Sequence, residues 1–192
     1  MSEAVAAGVA VPSLIPRRLL LLPAVALTLL VIGVSWNREW PLDFLHVFFG
    51  GLWTGADLFA GFLIGPIARR LDPPVRRAFM QRYMPRMMVL MPTLALVTLV
   101  AGWQLARETG VLTESYPRHW WLVASFVIVG VMATINFALL LPANLQVLSE
   151  LRKEIPNAEL IGRLMGRYTT IAAVIGCLQV ATIVVMSRLA TF

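Results

Sequence analysis

LDFLHVFFGGLWTGADLFAGFLIGPI, residues 42–67, decides how this chain is read. About 20 apolar residues, each rising ~1.5 Å along a helix, cross the hydrocarbon core of a bilayer. This run is long enough, yet it carries His46 and Asp57, two groups that are costly in lipid. Helical steps of four, three and four from His46 reach Gly50, Trp53 and Asp57, so these residues share one stripe. Gly51 and Gly55 form a neighbouring GxxxG stripe, and Gly61 and Gly65 form another; small residues there allow a second helix to approach closely. The stretch predicts a transmembrane helix with one chemically loaded face turned into a bundle.

The rest of the chain fits that setting. Of its 192 residues, 59% are hydrophobic and the mean hydropathy is +0.79, which puts it among integral membrane proteins. A net charge of +6 could signal nucleic acid. Here the arginines mass in loops between apolar runs, so lipid is the expected partner and nucleic acid is not. The single cysteine, Cys177, excludes an intrachain disulfide and a CxxC metal site.

The expected fold is all-α, a polytopic transmembrane bundle of five spans at about 19–36, 42–68, 84–106, 119–148 and 168–190. The last four form a four-helix core and the first packs outside it. Residues 1–18 read as a cytoplasmic or interfacial leader, and 19–192 as one transmembrane domain. Gly33-Val34-Ser35 would suit a signal-peptide cleavage site, but the apolar run before it is long, and an uncleaved first helix is expected. Kinks are expected at Pro92 and Pro142. With five spans, twelve of the 16 basic residues fall on one side. The positive-inside rule then predicts a bacterial-type inner membrane with the amino terminus cytoplasmic and the carboxyl terminus outside. Trp36, Trp40, Trp103, Trp120 and Trp121 all fall at the outer boundary, as an interfacial belt would.

Three groups could carry chemistry. His46 and His119 lie near the outer ends of spans two and four, at similar depth, where two imidazoles can ligate a b-type haem or a metal ion. The bland alternatives are a hydrogen-bonded His46 and a solvated His119. Asp57 lies near the midplane with Thr98, Asn136 and Gln179, and no lysine or arginine is at matching depth. These four could form a polar layer, either a proton or ion relay or hydrogen bonds that fix helix register. Met80, Met84, Met87, Met88 and Met91 could suit Cu(I), but methionine at helical spacing is more often packing. No catalytic motif is evident. The arginine-rich segment LDPPVRRAFMQRYMPR, read as a loop, is a topology determinant and a site for anionic lipid.

His46 opening a helix, then Trp53, small residues and a Gly65-Pro66 exit into Arg69-Arg70, resembles the first core helix of copper-resistance D type membrane proteins and of HemJ-type protoporphyrinogen oxidases. MPRMMVLMPTLALVTLVAGWQLAR, HWWLVASFVIVGVMATINFALLLPANLQ and RYTTIAAVIGCLQVATIVVMSRL are similar to their next three spans. The resemblance implies haem or copper at His46 and a redox or copper-handling role; Trp53 and His119 are the further candidate cofactor-binding residues. The lysine and histidine that HemJ-type proteins carry in the third core helix have no counterpart between Trp121 and Phe137. The rival expectations are a transporter or accessory permease working through Asp57, and a non-catalytic subunit that forms a homodimer or joins a larger membrane complex through its glycine faces.

Overall fold

The computed structural model describes residues 17–151, 153 and 157–191; the expected leader therefore lies almost wholly outside the described residues. Among the described residues there is no strand. Five helices are long and apolar enough to cross a membrane: α1 (Arg18–Trp36), α2 (Glu39–Arg70), α3 (Pro73–Glu108), α4 (Arg118–Val147) and α5 (Glu159–Ala190). The chain is a multi-pass helical membrane protein. Large apolar side chains point outward along every span, among them Leu21, Val31, Phe59, Leu96, Phe137 and Val184. That is the reverse of a water-soluble surface and the expected exterior of a bundle in lipid.

The helix α2 is the hub. It packs along α3 on one side and along α5 on the other. The helix α4 packs on α5 and meets α3 near the arginine-rich end, and α1 lies against α3 outside this group of four. Close approach is built from small residues, as expected where lipid offers no hydrophobic drive to associate. A methyl group on Gly61 would lie 2.6 Å from the Ala173 backbone, and one on Gly65 would lie 2.6 Å from the Thr169 side chain. From the facing helix, a methyl on Gly176 would lie 2.7 Å from Leu58. The Gly61/Gly65 stripe thus seats α5. The Gly51/Gly55 stripe meets nothing within 4 Å and faces outward.

Two helices change their winding on the way through. In α2 the segment Phe59–Ile64 is π-helical, and the Gly65 N–H donates to the Ala60 carbonyl five residues back. In α4 the segment Asn136–Leu140 is π-helical, and the Leu141 N–H donates to the Asn136 carbonyl. Each segment ends two residues before a proline, Pro66 and Pro142. A proline inside a helix cannot donate, and its ring crowds the carbonyl four residues back. Underwound hydrogen bonding to the carbonyl five residues back, just ahead of it, accommodates the misfit without leaving the helix. The helix α3 instead continues unbroken through Pro85 and Pro92.

The helices are longer than the expected spans at the arginine-rich end. The helix α3 begins at Pro73, eleven residues before the expected start, so the segment read as a loop is mostly helix. The reason is local: Pro73 and Pro74 occupy the first turn, where no intrahelical N–H is required. Likewise the last helix begins at Ala158, where the Asn157 side chain accepts from the Leu160 N–H as an N-cap.

Candidate functional site

The stripe His46, Gly50, Trp53, Asp57 faces the interior of the bundle, and each residue meets a different neighbour. At its outer end the His46 ring fills the notch left by Gly102 of α3: a methyl there would lie 2.5 Å from His46 Nδ1. Nδ1 donates to the Thr98 carbonyl at 2.8 Å. In a regular helix that carbonyl also accepts from the Gly102 N–H, so the imidazole takes its second lone pair. Gly50 faces the Thr98 side chain, whose Oγ1 donates to the Leu94 carbonyl at 2.8 Å. The bond at Nδ1 fixes the tautomer and leaves Nε2 as the free acceptor of the ring.

Trp53 packs between the two largest buried clusters, one around Val97 and Ala101, the other around Met84, Met132 and Met165. One turn on, Asp57 is 4% exposed, and its Oδ2 accepts from Gln179 Nε2 of α5 at 3.1 Å. Trp53 lies one helical turn before Asp57 on the same face. Gln179 is also 4% exposed, and its Oε1 is buried with no hydrogen-bond donor. Among the described residues no cation is paired with Asp57. The arrangement is a carboxyl in a dry interior, tied to an amide whose other end still has acceptor capacity.

Two tyrosines extend this cluster. Tyr83 of α3 and Tyr168 of α5 face one another across the bundle. Their rings meet edge to face, with centroids 6.5 Å apart. Tyr168 precedes Thr169, the residue that faces Gly65, so the pair lies about two turns from Asp57 toward the arginine-rich end. Sequence reasoning passed over both, because Tyr83 fell in an expected loop and Tyr168 at an expected span end. The signal was the Asp72-Pro73-Pro74 helix start: extending α3 to Pro73 puts Met80, Tyr83 and Met84 on one inward face.

Of the four residues expected as one polar layer, the structure joins Asp57 to Gln179. Thr98 bonds within its own helix through its hydroxyl and serves His46 through its carbonyl. The Asn136 Nδ2 donates to the Met132 carbonyl of its own helix at 3.0 Å, at the start of the π segment. His119 stands beside Trp120, with ring centroids 6.2 Å apart, on a helix that is not a main packing partner of α2. Met80 and Met84 are buried packing residues against Met132 and Met165. Among the described residues no three His, Cys, Asp or Glu side chains converge to hold a metal ion.

No curated protein and no solved structure matches this chain. A family model does, over residues 48–153, which takes in Trp53, Asp57, Tyr83 and Thr98 and stops short of His46 and Gln179. That match covers more than half of the chain, which therefore belongs to the family described as a domain of unknown function (DUF4149).

Proposed function

We propose that this chain is a transporter or accessory permease of a bacterial-type inner membrane, in which Asp57 takes up and releases a proton. The observation that carries the reading is the buried Asp57–Gln179 contact. An unpaired carboxylate charge in a dry interior is costly, and buried ionisable groups within membrane spans are retained for work on ions or protons. The contact is open-ended: Gln179 Oε1 can receive a donor such as a protonated carboxyl or a water. Tyr83 and Tyr168, about two turns away, carry the next hydroxyls toward the arginine-rich end. Proteoliposomes with a trapped pH-sensitive dye, under an imposed membrane potential, test the reading. Wild-type protein should admit protons, Asp57→Asn should not, and His46→Ala should resemble wild type. Equal flux through wild type and Asp57→Asn overturns it.

A second reading is favoured by His46. Its Nδ1 bond to the Thr98 carbonyl orients the ring and leaves Nε2 able to act as a ligand, which is how metal- and haem-binding histidines are held. This is the role that the likeness to copper-resistance D and HemJ-type proteins suggests, with Trp53 lining the same face and haem b or copper as the group. Bound haem would supply one-electron redox chemistry, and His46 would be the residue that holds it. A Soret band lost in His46→Ala would support this reading, and a colourless, copper-free protein purified from haem- and copper-replete cells would remove it.

A further inference from the structure

We propose that the first turns of α3 form a binding site for a phosphate-bearing anion at the arginine-rich end of the bundle. A groove of about 470 Å³ lies there, lined by Pro73, Pro74, Arg76, Arg77, Gln81 and Ile161 of the last helix. Two guanidinium groups border it, and neither is ion-paired with a carboxylate among the described residues. The Arg77 Nε is buried without a hydrogen-bond partner. A buried guanidinium N–H with nothing to donate to is a rare and unfavourable state, and an incoming oxygen anion resolves it.

Arg76 is held in place from the other side of the groove. Its guanidinium lies over Gly162 of α5, with Nη2 at 3.3 Å from where a methyl on that glycine would be. The bare glycine makes room for the guanidinium between the two helices. The α3 N-terminus adds the positive end of a 36-residue helix that lacks a side-chain cap, because Asp72 offers only its carbonyl, to the Arg76 N–H at 2.8 Å. Two forked donors and an uncapped helix end suit the tetrahedral oxygens of a phosphate ester better than a single flat carboxylate. The groove opens where the span leaves the apolar region, so the phosphodiester of an anionic lipid and a free phosphate ester share the required chemistry.

Native mass spectrometry of the full chain, released from nanodiscs of mixed phosphatidylglycerol and phosphatidylcholine, tests the site. Wild type should retain phosphatidylglycerol, and Arg76→Gln/Arg77→Gln should retain about tenfold less. Arg69→Gln/Arg70→Gln, which removes equal charge from exposed positions outside the groove, should retain it as wild type does. Arg77→Lys keeps the charge but loses Nε and the fork, so it should also lose retention; it serves where the double variant does not fold. Inorganic phosphate then separates the sources. Retention that phosphate does not displace assigns a lipid headgroup, and displacement at millimolar phosphate assigns a free phosphate ester. Equal loss in the groove and control pairs, or wild-type retention in Arg77→Lys, overturns the proposal.

Discussion

At the scale of single residues, His46 fits closely against Gly102. Gly102→Ala places a methyl 2.5 Å from His46 Nδ1, and the ring cannot retreat without leaving the Thr98 carbonyl. We expect a loss of ~1–3 kcal/mol in unfolding experiments in detergent, the usual cost of overpacking. His46→Ala/Gly102→Ala should recover part of it, because the ring that meets the methyl is gone; a strictly additive double variant would show that the two do not touch. His46, Asp57 and Gln179 were legible as intramembrane polar groups, because apolar runs make such residues stand out. The partners were not legible. Nothing in the spacing says that Asp57 chooses Gln179 over Asn136, since that choice depends on which helices are neighbours. Tyr83 and Tyr168 were missed because their depth depends on where each helix begins.

At the scale of elements, the two glycine stripes of α2 should respond in opposite ways. Gly61→Ala drives a methyl to 2.6 Å from the Ala173 backbone, so α2 and α5 must separate, with a loss of ~1–3 kcal/mol. Gly51→Ala and Gly55→Ala meet nothing, and the helix-propensity difference of up to ~1 kcal/mol should leave the monomer as stable or more so. Thermal unfolding of the three variants decides this, and equal destabilisation would contradict the packing described. The connection between α4 and α5 makes a prediction in pH. Glu150 accepts from Lys153 Nζ at 2.6 Å and from the Asn157 N–H at 2.9 Å, and these bonds, Lys153 first, hold its carboxyl below the ordinary value of 4.5. The unfolded carboxyl therefore takes up a proton first as pH falls. Its contribution is complete above the unfolded value and is lost as pH drops through the lower folded one. Glu150→Gln should flatten the acid limb of a stability–pH profile and leave neutral pH as its most affected region. The existence and order of the five helices were legible from hydropathy. Their ends were not, because two consecutive prolines read equally as a loop or as a helix start, and tertiary packing makes the choice. Of the two π segments, only the one before Pro142 was legible, as an expected kink; the one before Pro66 was not, and the helix α3 runs on through Pro92, since a proline announces a misfit and not how it is absorbed.

At the scale of the whole molecule, the bundle is an exterior of large apolar side chains around separate interior polar contacts, His46 with Thr98 and Asp57 with Gln179. The charge bias predicts that reagents impermeant to the membrane label a cysteine placed at Glu114 from outside and one at Asp72 only after the membrane is opened; the reverse pattern would invert the orientation. Fold class and span number were fully legible, because in lipid a chain of this composition must pair its backbone within helices. Which glycine face closes the bundle and which stays open was not legible, since both stripes have the same spacing. The proposed activity turns on whether the Asp57 carboxyl exchanges a proton with the aqueous phase. Infrared difference spectroscopy of the protein in nanodiscs, as pH is stepped, reads this directly. The account predicts a carboxylic acid C=O band that shifts in deuterium oxide, disappears on deprotonation and is absent from Asp57→Asn. A spectrum identical in wild type and Asp57→Asn at every pH would contradict it.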